Sequence, residues 1–202
     1  MRNRCLVICG LLMLSVACST VESYDPLEDY RELEPATVLD APTVNPAFVS
    51  PDDRDAVLHG EYMIELLGCG SCHTNGAFSG TPDWDRQLAG SRTGIAYTNP
   101  LAESLPGIVY PPNITPDIET GIGGWSDEQI ADAIRSGSSR HGGRLSLVMP
   151  WRGYALLTDR DVGAMVRYLR NIEPVHHRVP DDVKAGAAAK EPFVYFGIYE
   201  EN

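Results

Sequence analysis

The chain has 202 residues, room for one ordinary domain with extensions, and its 28 acidic against 16 basic side chains give a formal net charge of −12. So acidic a balance argues against nucleic-acid binding and against electrostatic docking on anionic lipid, while it suits a basic partner surface. Neither a P-loop nor a GxSxG nucleophile elbow occurs, so nothing points to phosphate or hydrolytic chemistry.

In chain order, the amino terminus comes first. A basic tip, Met1-Arg2-Asn3-Arg4, precedes an apolar run from Leu6 to about Ala17. This is the charge, core and small-residue order of a secretory signal, and it predicts export. The run is shorter than the roughly 20 residues a permanent membrane-spanning helix needs. Leu14-Ser15-Val16-Ala17-Cys18 resembles the lipobox of bacterial lipoproteins, in which the cysteine becomes the lipidated first residue. Ser15 departs from the aliphatic residue usual at its position, so cleavage by ordinary signal peptidase after Ala17 stays open. By the same resemblance, Ser19 with no Asp there favours an outer-membrane anchor facing the periplasm.

Residues 18–49 are predicted to be an acidic, Pro-rich tether: Glu22, Asp25, Glu28, Asp29, Glu32, Glu34 and Asp40 face only Arg31, with no apolar periodicity. The alternative is a partner-binding segment that folds on docking. Extended, the tether reaches on the order of 100 Å; as a coil it spans about 30 Å.

The domain is predicted over residues 50–180, with 181–202 as a C-terminal extension. Ser50-Pro51-Asp52-Asp53 is a helix-start signal, and the first helix is expected to run to about Leu67 and end at Gly68. Ser126 with Gln129 marks a second helix closing at Gly137. Thr158 with Asp161 marks a third, carrying Val162, Met165, Val166 and Leu169 on one face and ending before Pro174. Loops at 74–125 and 138–157 are long for a compact domain, which a large prosthetic group inside them explains. The aromatic stretch from Phe193 to Tyr199 either packs on its own domain or serves as a docking strand.

Cys69-Gly70-Ser71-Cys72-His73 carries the chemistry. Two cysteines three apart on a helical turn reach the two vinyl groups of one porphyrin edge, and the adjacent histidine points at the iron, so the segment predicts covalent haem c. A CxxC redox pair does not need the histidine, and a zinc site needs a second ligand pair. With Cys5 and Cys9 in the signal and Cys18 lipidated, no cysteine is left for a structural disulfide. For the opposite face of the iron, Met149 in Leu147-Val148-Met149-Pro150-Trp151 is favoured, because Met63 and Met165 lie in helices among aliphatic neighbours. His141, His176 or His177 is the alternative. His176 and His177 read as an exposed tail, and His59 as a surface residue of the first helix.

These residues resemble a known group. His59-Gly60-Glu61-Tyr62, CGSCH, Leu88-Ala89-Gly90, Val109 through Asp117 (VYPPNITPD), Glu119 through Gly123 (ETGIG), Met149-Pro150-Trp151, and Leu157-Thr158-Asp159 leading to Tyr168-Leu169-Arg170 resemble class I-type cytochromes c. The branch is that of the cytochrome subunits of membrane-bound alcohol and gluconate dehydrogenases and their single-haem relatives. The resemblance covers roughly residues 57–180. It implies an all-α class I cytochrome c fold, three to five short helices with long loops wrapped around one covalent haem. Gly60 would then let the last helix approach the first near Met165 and Leu169. A carbonyl at Pro111 or Pro112 would accept from His73 Nδ1, with Asn113 steadying that loop. Arg144, and less directly Arg140, would meet the propionates, and Tyr110, Trp125 and Trp151 pack either the porphyrin or the core.

The chain departs from those subunits in carrying one CxxCH segment and no membrane-anchoring helix at its carboxyl end. The implied function is an electron carrier rather than an enzyme. It would be a tethered periplasmic shuttle with redox partners such as a dehydrogenase, cytochrome complex or oxidase, or alternatively a fixed subunit of such a complex. A peroxidase or gas sensor would require Met149 not to bind.

Overall fold

Helical segments follow their end signals closely. The structure, a computed structural model, describes residues 40–45, 49–138 and 148–196. Its elements are α1 (Arg54–Leu66), α2 (Cys69–His73), β1 (Gly94–Ala96), β2 (Ile108–Val109), α3 (Asp127–Ser136), α4 (Trp151–Tyr154), α5 (Asp159–Asn171) and β3 (Phe193–Val194), with single 3-10 turns at Ala77–Ser79 and Trp84–Arg86. The signal, Cys18, most of the tether, Arg140, His141, Arg144 and residues 197–202 lie outside the described residues.

Both predicted capping boxes form. Ser126 Oγ accepts from Gln129 N–H while the Gln129 side chain accepts from Ser126 N–H, opening α3. Thr158 and Asp161 do the same for α5. The first helix starts later than Ser50 predicts. The Ser50 hydroxyl and carbonyl both accept from Asp53 N–H, closing one separate turn, and α1 begins after an Asp53 cap whose side chain makes no capping bond.

The core is the crossing of α1 and α5. Val57, Met63 and Ile64 of α1 are buried with Val162, Met165, Tyr168 and Leu169 of α5, and Ile130 and Ile134 of α3 complete the cluster. Gly60 is the crossing point. A Cβ there would overlap the Ala164 carbonyl and lie 2.7 Å from Tyr168 Cβ, so only glycine admits this approach. The partner residues are thus Ala164 and Tyr168, one position before each of the two that the resemblance implied.

An all-α description omits a small sheet. β1 is central, antiparallel to β2 (Ile95↔Val109) and parallel to β3 (Gly94↔Phe193). Strands of two or three residues are too short to show an alternating pattern, and β3 is remote in sequence from its partner, so no local signal marks them.

Both flanks of the predicted domain are packed where they are described. Ala41 and Val49, assigned to the tether, are buried; Ala41 N–H donates to Glu65 Oε1 (3.1 Å), and Tyr168 O–H donates to Pro42 O (2.5 Å). In the extension, Val183 and Ile108 exchange both main-chain bonds at 2.8 Å, and Asp182 Oδ1 accepts from Tyr110 N–H (2.9 Å). The aromatic stretch, as far as it is described, packs on its own domain through β3 and through Phe196, edge-on to Phe78 at 5.8 Å.

Candidate functional site

The chain leaves α1 through a left-handed Gly68 (φ 66°) and immediately forms α2, a single turn made entirely of Cys69-Gly70-Ser71-Cys72-His73. That turn places both cysteines and the histidine on one short, tightly held segment. Both thiols are unpaired. Burial pushes the Cys69 thiol up to about 12, with the neighbouring Cys72 adding to it, and burial raises Cys72 as well. A redox CxxC depends on a lowered thiol that supplies thiolate, and burial here acts in the opposite direction. Among the described residues no group of three or more His, Cys, Asp or Glu side chains gathers as a zinc-type site. Two half-buried thiols and one imidazole on a single turn fit the donor set of haem c.

His73 is half-buried, and its Nδ1 lies 2.7 Å from the Pro112 carbonyl. A carbonyl only accepts, so Nδ1 carries the proton and Nε2 keeps its lone pair for a metal. Burial lowers the imidazole's pKa, with the Pro112 bond opposing. His73 is held from its main chain too: its carbonyl accepts from Gly90 N–H at 2.7 Å.

The segment from Thr74 to Asn113 builds this grip. Thr74 pairs with Gly90 in an isolated bridge, and Thr74 Oγ1 accepts from Leu88 N–H (3.1 Å). Leu88 is held at φ 59°, a left-handed conformation unusual for leucine, and its carbonyl accepts from Ile114 N–H (2.9 Å). Gly90 (φ 87°) lets the chain press on the Pro112–Asn113 peptide; a Cβ there would stand 2.7 Å from Asn113 N. Ser91 N–H donates to the Pro111 carbonyl (2.9 Å). Asn113, 2% exposed, donates to Thr120 Oγ1 and Val175 O and accepts from Thr115 N–H and O–H. The implied Pro112 carbonyl and Asn113 brace are therefore both in place.

Met149 is half-buried, with its carbonyl accepting from Trp151 N–H (2.8 Å), directly before Pro150 caps α4. The α4 turn is docked beside the cysteines by Tyr154, whose hydroxyl donates to Leu67 O (3.4 Å). Burial pushes that hydroxyl up to about 12, and the proximity of Cys69 and Cys72 adds to the shift. Of the aromatic candidates, Trp151 is buried against Gly137, under the Arg152 guanidinium. Trp125 packs on the α1–α5 core and gives its carbonyl to Arg170. Tyr110 packs on Gly94 and donates to the Glu191 carbonyl (3.3 Å). The described polar contacts of Trp125 and Tyr110 thus lead to α5 and the C-terminal extension.

Two histidine expectations are corrected. His177 is no exposed tail: it is 8% exposed, with Nδ1 2.9 Å from the Ala89 carbonyl. His59 is half-buried and paired through Nε2 with Asp161 (2.8 Å), because α5 crosses α1 there. His176 is exposed, near Asp117. Sequence reasoning passed over Thr74 and Tyr154 and read His177 as an exposed tail, because their roles arise from distant pairings; only the motif LAG around Leu88–Gly90 hinted at that grip. Open clefts between α3 and α5, and between Pro42, Trp84 and Pro174, are lined by neither cysteine nor His73 and have no part in the site.

Comparison with known proteins supplies the last element. No family model matches the chain. It is 32% identical over 153 residues to the cytochrome c subunit of a quinone-type alcohol dehydrogenase from Gluconobacter oxydans, covering 74% of this chain and 29% of that protein. It is 36% identical over 124 residues to the fructose dehydrogenase cytochrome subunit of Gluconobacter japonicus, 60% of this chain and 22% of that one. It is 33% identical over 131 residues to the gluconate 2-dehydrogenase cytochrome c subunit of Pantoea cypripedii, 64% of this chain and 26% of the relative. The chain thus spans less than a third of the length of each of these relatives. The resemblance to cytochrome c domains that the motifs suggested is shown.

Proposed function

We propose that the chain is a one-electron carrier whose haem c is attached through Cys69 and Cys72, with His73 and Met149 as axial ligands. The observation that carries this reading is His73, held by its Nδ1 on the Pro112 carbonyl and by its own carbonyl on Gly90 N–H, on the same turn as two half-buried free thiols. When bound, haem supplies reversible one-electron chemistry at its iron. The protein's share is to hold His73 rigid, to shield the site with the 88–113 strap, and to present Met149 from the turn ahead of α4. A fixed ligand set keeps reorganisation small. Arg144 is assigned to the propionates, and Tyr110, Trp125 and Trp151 to packing around the site.

The setting we propose is the periplasm, with lipidated Cys18 anchoring the chain to the outer membrane. Among the described residues no helix is long and apolar enough to cross a membrane. Expression with the covalent-attachment machinery should give a haemochrome spectrum and one reversible one-electron couple; absence of that couple ends the proposal. Met149→Ala should abolish the red ferric band of Met–iron ligation, and a persisting band would remove Met149 as ligand. Cys18→Ser should release the protein from membranes.

A second reading, a fixed subunit of a dehydrogenase, draws on a different observation. Among the described helices, α1 presents an i, i+4, i+8 row of large apolar side chains, Leu58, Tyr62 and Leu66, each more than half exposed. Its occupant would be the dehydrogenase's catalytic subunit, since the relatives are subunits of such enzymes. A stoichiometric partner that copurifies and is lost in Leu58→Glu/Leu66→Glu selects this reading; a monomeric carrier turning over without one selects the shuttle.

A further inference from the structure

The buried polar side chains of the described residues are Thr74, Ser91, Asn113, Thr115 and His177. All of them belong to the segments wrapped around His73. Burying a polar group costs free energy unless it is hydrogen-bonded, so their concentration here marks a built network rather than chance. His177 is the one imidazole among them, and neither the haem attachment nor the axial ligation uses it.

Its bonds lead straight to the ligand. The Ala89 carbonyl can only accept, so the proton lies on His177 Nδ1, which donates to it at 2.9 Å. The same peptide's other end, Gly90 N–H, donates to the His73 carbonyl at 2.7 Å. One amide therefore links the His177 imidazole to the His73 main chain: His177 Nδ1 donates to Ala89 C=O, and Gly90 N–H donates to the His73 carbonyl. His177 is itself fixed, since its N–H donates to Thr120 Oγ1 (3.1 Å), the hydroxyl that also receives Asn113 Nδ2 (3.0 Å). The His73 carbonyl ends a five-residue helix and has no later turn of its own to bind, so Gly90 satisfies it.

We propose that His177 is a positioning residue for His73, acting through the Ala89–Gly90 peptide to hold the imidazole on the Pro112 carbonyl and so to set the haem potential. Donation to the Ala89 carbonyl polarises the amide and strengthens the Gly90 N–H bond to His73. A firmly held His73 main chain keeps Nδ1–H on Pro112, which makes the imidazole a stronger donor to iron and favours the oxidised state. Losing His177 should therefore loosen that bond and raise the midpoint potential. The inference rests on the haem reading above.

The test uses the haem-loaded full chain as His177→Leu and His177→Asn, the second keeping an N–H at the Nδ1 position. His177→Leu should raise the midpoint potential and speed exchange of the Gly90 amide roughly tenfold, the effect of losing one hydrogen bond. His177→Asn should restore both. If His177→Leu does not accumulate, His177→Gln, whose amide lies one atom farther out, replaces it with the same expectation. An unchanged potential and Gly90 exchange in these variants, with only the melting temperature lowered, would overturn the proposal by leaving His177 a purely structural role. A parent chain without covalent haem or a reversible couple would instead defeat the haem reading itself.

Discussion

Asn113 forms four hydrogen bonds around the loop that braces His73, to Thr120, Val175 and twice to Thr115. Asn113→Ala removes all four and takes the acceptor from the buried Thr115 N–H, and should lower the unfolding free energy by about 1–3 kcal/mol, measured by guanidinium unfolding. Asp161 makes a different kind of prediction. The Thr158 hydroxyl, and then His59, hold its carboxyl down to about 2. A carboxylate lowered on folding stabilises the protein above its unfolded value of about 3.9, and that contribution is lost as pH falls through the folded value. The melting temperature should thus decline between about pH 4 and pH 2, and Asp161→Asn should flatten that part of the curve. The Thr158–Asp161 cap was legible from spacing alone; the His59 pairing was not, because it joins residues 102 apart in sequence.

At the scale of elements, the helix crossing depends on one position. Gly60→Ala would drive a methyl into the Ala164 carbonyl and Tyr168, and should destabilise by about 1–3 kcal/mol as α1 and α5 are forced apart. Gly163, also within α5, is the control. A Cβ there meets only the far end of Arg167, 3.5 Å away, so Gly163→Ala should stabilise by about 0.5–1 kcal/mol through helix propensity. Thermal melts of the two variants should move in opposite directions. If both fall, the close approach at Gly60 is not what limits the crossing. Capping boxes and glycine stops made the ends of α3 and the start of α5 readable, since those signals are local. The strands were not readable, because their partners rather than their own residues define them.

The whole molecule is larger than its motif-bearing part. Residues 40–45 and 49 pack on α1 and α5, and residues 181–196 close the sheet, so the domain edges lie outside 50–180. Truncation after Lys190 removes β3, the Glu191 carbonyl that receives Tyr110, and the Arg92–Glu191 ion pair. It should lower the melting temperature and expose Tyr110 and Ile95 to the solvent side. A melt unchanged by the truncation, with no new proteolytic sites near β1, would show the extension to be an appendage.

The proposed haem attachment is a matter of local chemistry, so the amino-acid sequence by itself carries the proposal. Five contiguous residues point to it, and the helix signals mark the elements around it, since each depends on neighbours within a turn. Three-dimensional packing decided the rest: that Pro112 accepts from His73, that Gly90 holds the His73 carbonyl, and that His177 is buried against Ala89. Those contacts join segments far apart along the chain. No local pattern encodes which carbonyl a given imidazole will meet once the loops have closed.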